Sequence, residues 1–391
     1  MSSSSPSLST GGSGVAEDAR AGADAPAPRA LASEPGARLL PGWGWAALAL
    51  FVLASCVLVP WLSLGLPRAS AWHLSSYWVG LAGKILCYAM VALAMDLVWG
   101  YGGILSLGHG LFFALGGYAM GMYLNRAMSA ASGTLPDFMQ FMQWTRYPWY
   151  WAGTEHFAYA LFLALAVPGL LAFVFGFFAF RSRIRGVYFS IITQALTYAA
   201  MLLFFRNETG FGGNNGLTDF KVLLGWPVGT AGMTVALFAA TSLCLVLCFL
   251  LLRWLVRGRF GRLLSAIRDA ESRVMFCGYE PLWFKLFAWT LSAMVCGLAG
   301  ALYAPQVGII NPGEMSPANS IEIAIWAAVG GRGTLVGPML GAVLVNAAKS
   351  WLTVAFPQFW LYLLGALFVV VTLYAPGGIA GLLMAWRHRR D

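Results

Sequence analysis

From Trp43 onward the chain alternates long apolar runs with short polar interruptions, and the runs set the elements. A helix needs about 20 apolar residues to cross a bilayer. Runs that reach or approach this length cover 43–63, 75–98, 103–125, 157–180, 184–205, 232–256, 284–308, 319–330, 335–352 and 359–383. The pattern predicts an all-α polytopic membrane protein with about ten transmembrane helices. The 319–330 run is short and is flanked by Gly330, Gly331 and Gly333. It is either extended by its neighbours or forms half of a broken helix with 335–352, and such interruptions can mark a transport pathway. Residues 1–40 are rich in Ser, Gly, Ala and Pro without apolar period and read as a disordered tail. The membrane domain then covers 41–386, and 387–391 form a basic tail. The first apolar run lies too far inside for an ordinary signal peptide and is long enough to remain as an anchor.

Composition strengthens this reading. Of 391 residues, 59% are hydrophobic and 10% charged, against about 25% charged in soluble domains. An ordinary soluble enzyme and a disordered chain are both excluded. The net charge of +9 points less to nucleic acid than to orientation, because Lys and Arg accumulate on the cytoplasmic side of bacterial membranes. With a cytoplasmic N-terminus and ten spans, 17 of the 24 basic residues fall inside and five outside, with Lys84 and Lys349 within spans. Both termini are then cytoplasmic. The exterior loop 126–156 carries Trp144, Tyr147, Trp149, Tyr150 and Trp151, a set suited to headgroup level. The six cysteines include no CxxC and read as packing thiols.

No phosphate-binding GxxxxGK[ST] loop and no HExxH occurs, and the four histidines are scattered. No catalytic, metal or cofactor residues are assigned, and transport is the better class. The stretch 257–285 repeats Leu263, Leu264, Ile267, Ala270 and Val274 at helical spacing, with Asp269 and Arg273 placed for an i,i+4 pair. Gly278 ends the pattern and Pro281 blocks its continuation. This amphipathic helix either lies in the headgroups or docks a soluble motor subunit. Asp269 and Glu271 suit an anionic leaflet poorly and favour docking. The run 99–126 is dense in glycine and sets Ser106 and His109 at membrane depth, where a His is either a site residue or bonded to a neighbouring helix. The loop 206–221 holds Asn214 and Asn215 among glycines, as a solvated turn or a contact at the outer mouth. Asp96 and Lys349 lie near predicted span ends and can snorkel. Glu322 begins a short span and can face a cavity.

SLGHGLFFALGGYAMGMYL, RDAESRVMFCGYEPLWFKLFAWTLSAMVCGLAGALYA and GGRGTLVGPMLGAVLVN together resemble the branched-chain amino-acid type permeases of ABC importers, over nearly everything from Trp43 to Leu383. Within that family, FGGNNGLTDFK and GHGLFFALGGYAMGMYL are most similar to the urea-importer branch. The resemblance implies a bacterial inner-membrane complex of this chain with a second homologous permease, two ATP-binding subunits and a periplasmic solute-binding protein. No nucleic-acid partner is implied, and lipid is the surrounding medium. The resemblance also implies an ABC importer permease fold and places the ATPase coupling loop at Arg268, Asp269, Glu271 and Gly278. Ser272, Arg273 and Phe276 depart there from the commoner family form.

Few charges within the spans suit a neutral amide, and they suit a zwitterion only where helix termini meet its carboxylate. The expected solute, implied by the resemblance to the urea branch and supported only weakly by this scarcity of charge, is urea, with short amides beside it. Ser106, Gly108, His109, Asn214, Asn215 and Glu322 are the expected path residues. The alternatives are a branched-chain amino-acid importer and a passive channel for small neutral solutes. An ion-driven transporter would need coupling carboxylates, for which Asp96 and Glu322 are the only candidates.

Overall fold

In hydrocarbon an unpaired backbone N–H or C=O costs several kcal/mol, so apolar runs close their hydrogen bonds internally as helices. The computed structural model follows that rule. It describes residues 42–381 apart from 68, 71, 185, 360–361, 364, 367–368, 371–372 and 374–376. The predicted tails 1–40 and 387–391, and much of the last predicted span, lie outside the described residues.

Helix α1 (Gly42–Leu53) continues through π turns at Ala54–Leu58 and Trp61–Gly65. Helix α2 (Ser76–Asp96) runs on into a π turn at Leu97–Tyr101. There follow α3 (His109–Ser132), the short α4 (Asp137–Phe141), α5 (Phe157–Arg181) and α6 (Val187–Phe205). After the small strands β1 (Leu217–Thr218), β2 (Val222–Leu223) and β3 (Trp226–Pro227) come α7 (Ala231–Arg257), α8 (Arg259–Phe276) and α9 (Pro281–Val307). Strand β4 (Ile309–Ile310), a 3-10 turn at Pro312–Met315, α10 (Pro317–Gly330) and α11 (Val336–Ala355) complete the order. Among the described residues six helices are long and apolar enough to cross a membrane: those spanning 44–65, 76–101, 157–181, 187–205, 231–257 and 281–307. Helix α10, with 14 residues, is shorter than a bilayer span. It is one arm of the predicted broken pair with α11.

Helix α2 lies at the centre, every residue from Ala89 to Asp96 being buried. Helices α5 and α6 turn Phe162, Leu170, Phe178, Tyr188 and Ile191 outward, as lipid-facing helices do. Helices α3 and α9 pack closely because glycines face each other. A Cβ on Gly116 would collide with the Gly297 carbonyl, and one on Gly300 with the Phe113 carbonyl.

Loop contacts sort the connections onto two faces. On one, Arg126 Nη1 meets Glu155 at 3.1 Å, Tyr150 Oη donates to the Thr209 carbonyl, and β1 pairs antiparallel with β4. On the other, Arg268 donates to the Gly100 carbonyl, and Asp96 accepts from Gly333 and Leu335. Contacts thus join the connections at 126–155, 209–218 and 309–310 on one face, and residues 96–100, 268 and 333–335 on the other.

The predicted span 103–125 needs correction, because α3 starts only at His109. Residues 103–106 form no helix or strand, with Gly103 at φ 70°, and hydroxyls on one face of α6 hold the segment. Ser190 Oγ donates to the Leu105 carbonyl (2.8 Å), Thr193 Oγ1 accepts from the Leu107 N–H (3.1 Å), and Thr197 Oγ1 donates to the Leu107 carbonyl (3.4 Å). Irregular backbone at membrane depth survives only where protein groups satisfy it in this way.

Candidate functional site

The spacing Lys84–Tyr88–Val91 places three side chains on one face of α2, and that face borders a cavity of about 190 Å³. Gly110 and Phe113 close it from α3, and Glu314 enters from the Pro312–Met315 turn. Asn319, Glu322, Ile323 and Trp326, also one helical face, line it from α10, and Lys349 reaches it from α11. At about 30 Å³ per water, the space holds roughly six waters or one small solute.

Four ionisable groups meet here. Lys349 Nζ lies 2.8 and 2.9 Å from the two carboxylate oxygens of Glu322. Glu314 Oε1 accepts from Tyr303 Oη at 3.0 Å, and Oε2 accepts from Asn319 Nδ2 at 3.4 Å. Lys84 has no ion pair among the described residues. Its ammonium stands 5.8 Å from the Tyr88 ring and 5.9 Å from the Tyr303 ring, a cation–π arrangement. The Tyr88 ring in turn packs against Trp326 at 5.0 Å. Trp326 carries a buried indole N–H without a partner, and the buried Ser320 hydroxyl is also unpartnered. The site therefore offers a cation held by rings, a carboxylate held by neutral donors, and spare hydrogen-bonding groups.

Of the predicted path residues, Glu322 lines this cavity. The others stand elsewhere. Ser106 Oγ accepts from the Gly108 N–H at 3.1 Å and helps close the turn before α3. His109, 1% exposed, pairs through Nε2 with Ser292 Oγ at 2.9 Å, and Ser292 donates to the Ala94 carbonyl at 2.6 Å. It thus ties α3 to α9 and α2, close to the helix-bonded alternative. Asn214 and Asn215 are exposed in the loop before β1. Asn215 borders a separate cleft of about 480 Å³, with Asp137, Asp219 and Asn125.

Asp96 and Lys349, which can snorkel from the predicted span ends, are both engaged by protein groups. Asp96 is fully buried and caps the start of α11, accepting from Gly333 N–H (2.6 Å) and Leu335 N–H (2.9 Å). Lys349 points to Glu322. Lys84, Glu314 and Tyr88 are absent from the predicted path set. Lys84 is legible as a Lys within an apolar run, sharing a helical face with Tyr88 and Val91, whereas Glu314 carries no such signal.

The predicted amphipathic helix forms as α8, with Leu264, Ile267 and Val274 buried. Gly278, at φ 85°, follows its end, and Pro281 starts α9. The expected Asp269–Arg273 pair is replaced by Arg268–Asp269 at 2.8 Å. The cause is local: Ala270 leaves helical geometry (φ −153°, ψ 68°) and breaks the i,i+4 register. Glu271 pairs with Lys285 at 2.7 Å, both largely covered.

The sequence pattern described as "Branched-chain amino acid transport system / permease component" matches residues 77–372. The high-affinity branched-chain amino acid transport system permease protein LivM of Salmonella typhimurium is 25% identical over 323 residues, covering 77% of this chain and 69% of that protein. The probable branched-chain amino acid transport permease protein LivM of Methanocaldococcus jannaschii is 25% identical over 343 residues, covering 77% and 91%. The fructose import permease protein FrcC of Rhizobium meliloti is 25% identical over 232 residues, covering 55% and 61%. No solved structure matches the chain.

Proposed function

The chain belongs to the family of branched-chain amino acid transport permease components, and from that premise we propose that it forms the membrane path of an ATP-driven importer for a zwitterionic amino acid. It is a multi-pass permease subunit and not an enzyme. Hydrolysis of ATP falls to separate ATP-binding subunits, a second homologous permease completes the path, and a periplasmic binding protein delivers the solute. The face that carries α8 is cytoplasmic, as are both termini, and the membrane is the bacterial inner membrane.

The observation that carries the solute class is the charged cavity. Lys84, held by two rings, is the group for a solute carboxylate. Glu314, held by neutral donors, is the group for an ammonium. Its balance of two ammonium and two carboxylate side chains matches a solute with one of each. Scarcity of charge along the spans is a weak support of the urea expectation, and the meeting of Lys84, Glu314, Glu322 and Lys349 in one space counts against that support. Urea remains the second reading on the resemblance of Phe211–Lys221 and Gly108–Leu124.

Uptake of labelled leucine and labelled urea by cells holding the whole importer, with and without this chain, separates the two. Leucine uptake should vanish without the chain, urea uptake should not change, and Lys84→Met should lower leucine uptake about tenfold or more. Loss of urea uptake with leucine uptake intact would replace this reading with the urea one. Uptake that persists after ATP depletion would point to a passive channel.

A further inference from the structure

Far from the cavity, on the face that carries α8, a guanidinium is buried without an anion. Arg253, in the last turns of α7, is 3% exposed. Neither Nη1 nor Nη2 has a hydrogen-bond partner, and no carboxylate among the described residues pairs with it. Among the described residues its cation–π contact is the Trp45 ring of α1, 5.1 Å from the guanidinium carbon. The Tyr101 hydroxyl, at the end of the π turn after α2, is also buried without a partner, and Arg268 holds the carbonyl of the neighbouring Gly100. Arg257, one turn beyond Arg253, is exposed at the rim.

Every unsatisfied group in this set can donate a hydrogen bond, and its net charge is positive. Burying a guanidinium without a counter-ion is strongly unfavourable. The planar fork of donors matches two oxygens of a phosphoryl group. We propose that Arg253, Tyr101 and Arg257 bind the phosphoryl group of an anionic phospholipid. A lipid is favoured over free phosphate by the surroundings. Trp45, Leu50 and Leu53 of α1 and Leu251 and Trp254 of α7 are exposed apolar residues on the two helices that carry the site, a surface along which acyl chains can lie. The indole of Trp45 sits where a headgroup-level aromatic belongs. The lipid thereby fastens α1 to α7 and to the turn after α2.

The test is thermal unfolding of the full-length purified chain in mixed micelles with phosphatidylglycerol, with diacylglycerol, or with inorganic phosphate. Phosphatidylglycerol should raise the midpoint by several degrees and diacylglycerol should not. Arg253→Met should weaken the phosphatidylglycerol response at least tenfold in lipid concentration, and Arg253→Lys, a point charge without the fork, should fall between. An equal response in wild type and Arg253→Met overturns the site. Inorganic phosphate acting as strongly as the lipid overturns the lipid as occupant. If Arg253→Met does not accumulate, the wild-type comparison decides alone: equal responses to phosphatidylglycerol and diacylglycerol overturn the proposal.

Discussion

Lys349 and Glu322 show what a charge costs at membrane depth. The pair sits with the carboxylate side chain 11% exposed and the ammonium side chain 30% exposed. Removing one partner leaves the other charge in a place where water solvates it poorly. Lys349→Met should therefore destabilise the purified chain by up to about 3 kcal/mol, less than for a fully enclosed pair. Glu322→Gln with Lys349→Met should recover most of that loss, because the neutral pair leaves no stranded charge. Thermal unfolding of the two singles and the double measures the coupling. A double variant no more stable than Lys349→Met would show that the two residues act independently. Lys84 differs in kind. Ring faces attract a cation without supplying a counter-ion, so in the proposed function a solute carboxylate can pair with the ammonium.

At the scale of elements, apolar run length predicted α1, α2, α5, α6, α7 and α9 to within a few residues, because such runs in lipid have helix as their one way to satisfy their own backbone. The run 103–125 misled because its first residues draw their partners from Ser190, Thr193 and Thr197, more than 80 positions away. Those three recur at one helical face of α6, which is visible in the sequence, but their target is not. The same limit hid most of the cavity. Glu322 stood out as an acid in a short apolar run, whereas Glu314 lies in a turn that only the fold sets beside Lys84. Ser190→Ala with Thr193→Ala tests the hydroxyl rail. It strands the Leu105 carbonyl and the Leu107 N–H at about 1–3 kcal/mol each, so the unfolding midpoint should drop by several degrees. Thr193→Ser, which keeps the hydroxyl, should cost much less. Equal losses for Thr193→Ser and Thr193→Ala would assign the effect to packing instead.

In the proposed importer an ATP-binding subunit would dock on α8, and the question for the whole molecule is by what route such motion could reach the cavity. Arg268 Nη1 donates to the Gly100 carbonyl at 2.6 Å. Gly100 belongs to the π turn that follows Asp96, and Asp96 holds the start of α11. Helix α11 carries Lys349 to Glu322. A displacement of α8 thus has a bonded route to the cavity through two backbone contacts and one helix. Glu271 stands apart from this route, because Lys285 engages it. A paired change of Asp269 and Glu271 would mix coupling with local stability. Arg268→Ala is the cleaner probe, since it removes the Gly100 contact and leaves the Glu271–Lys285 pair in place. A hydrogen bond to a charged group contributes about 1.5–3 kcal/mol, and about 1.4 kcal/mol is tenfold in rate. In the assembled importer, Arg268→Ala should lower solute-stimulated ATP hydrolysis about tenfold while basal hydrolysis and subunit assembly stay close to wild type. Asp269→Ala, which removes only an exposed partner of the same arginine, should change stimulation less than threefold. Full stimulation in the Arg268→Ala importer would show that the Gly100 contact carries none of the coupling.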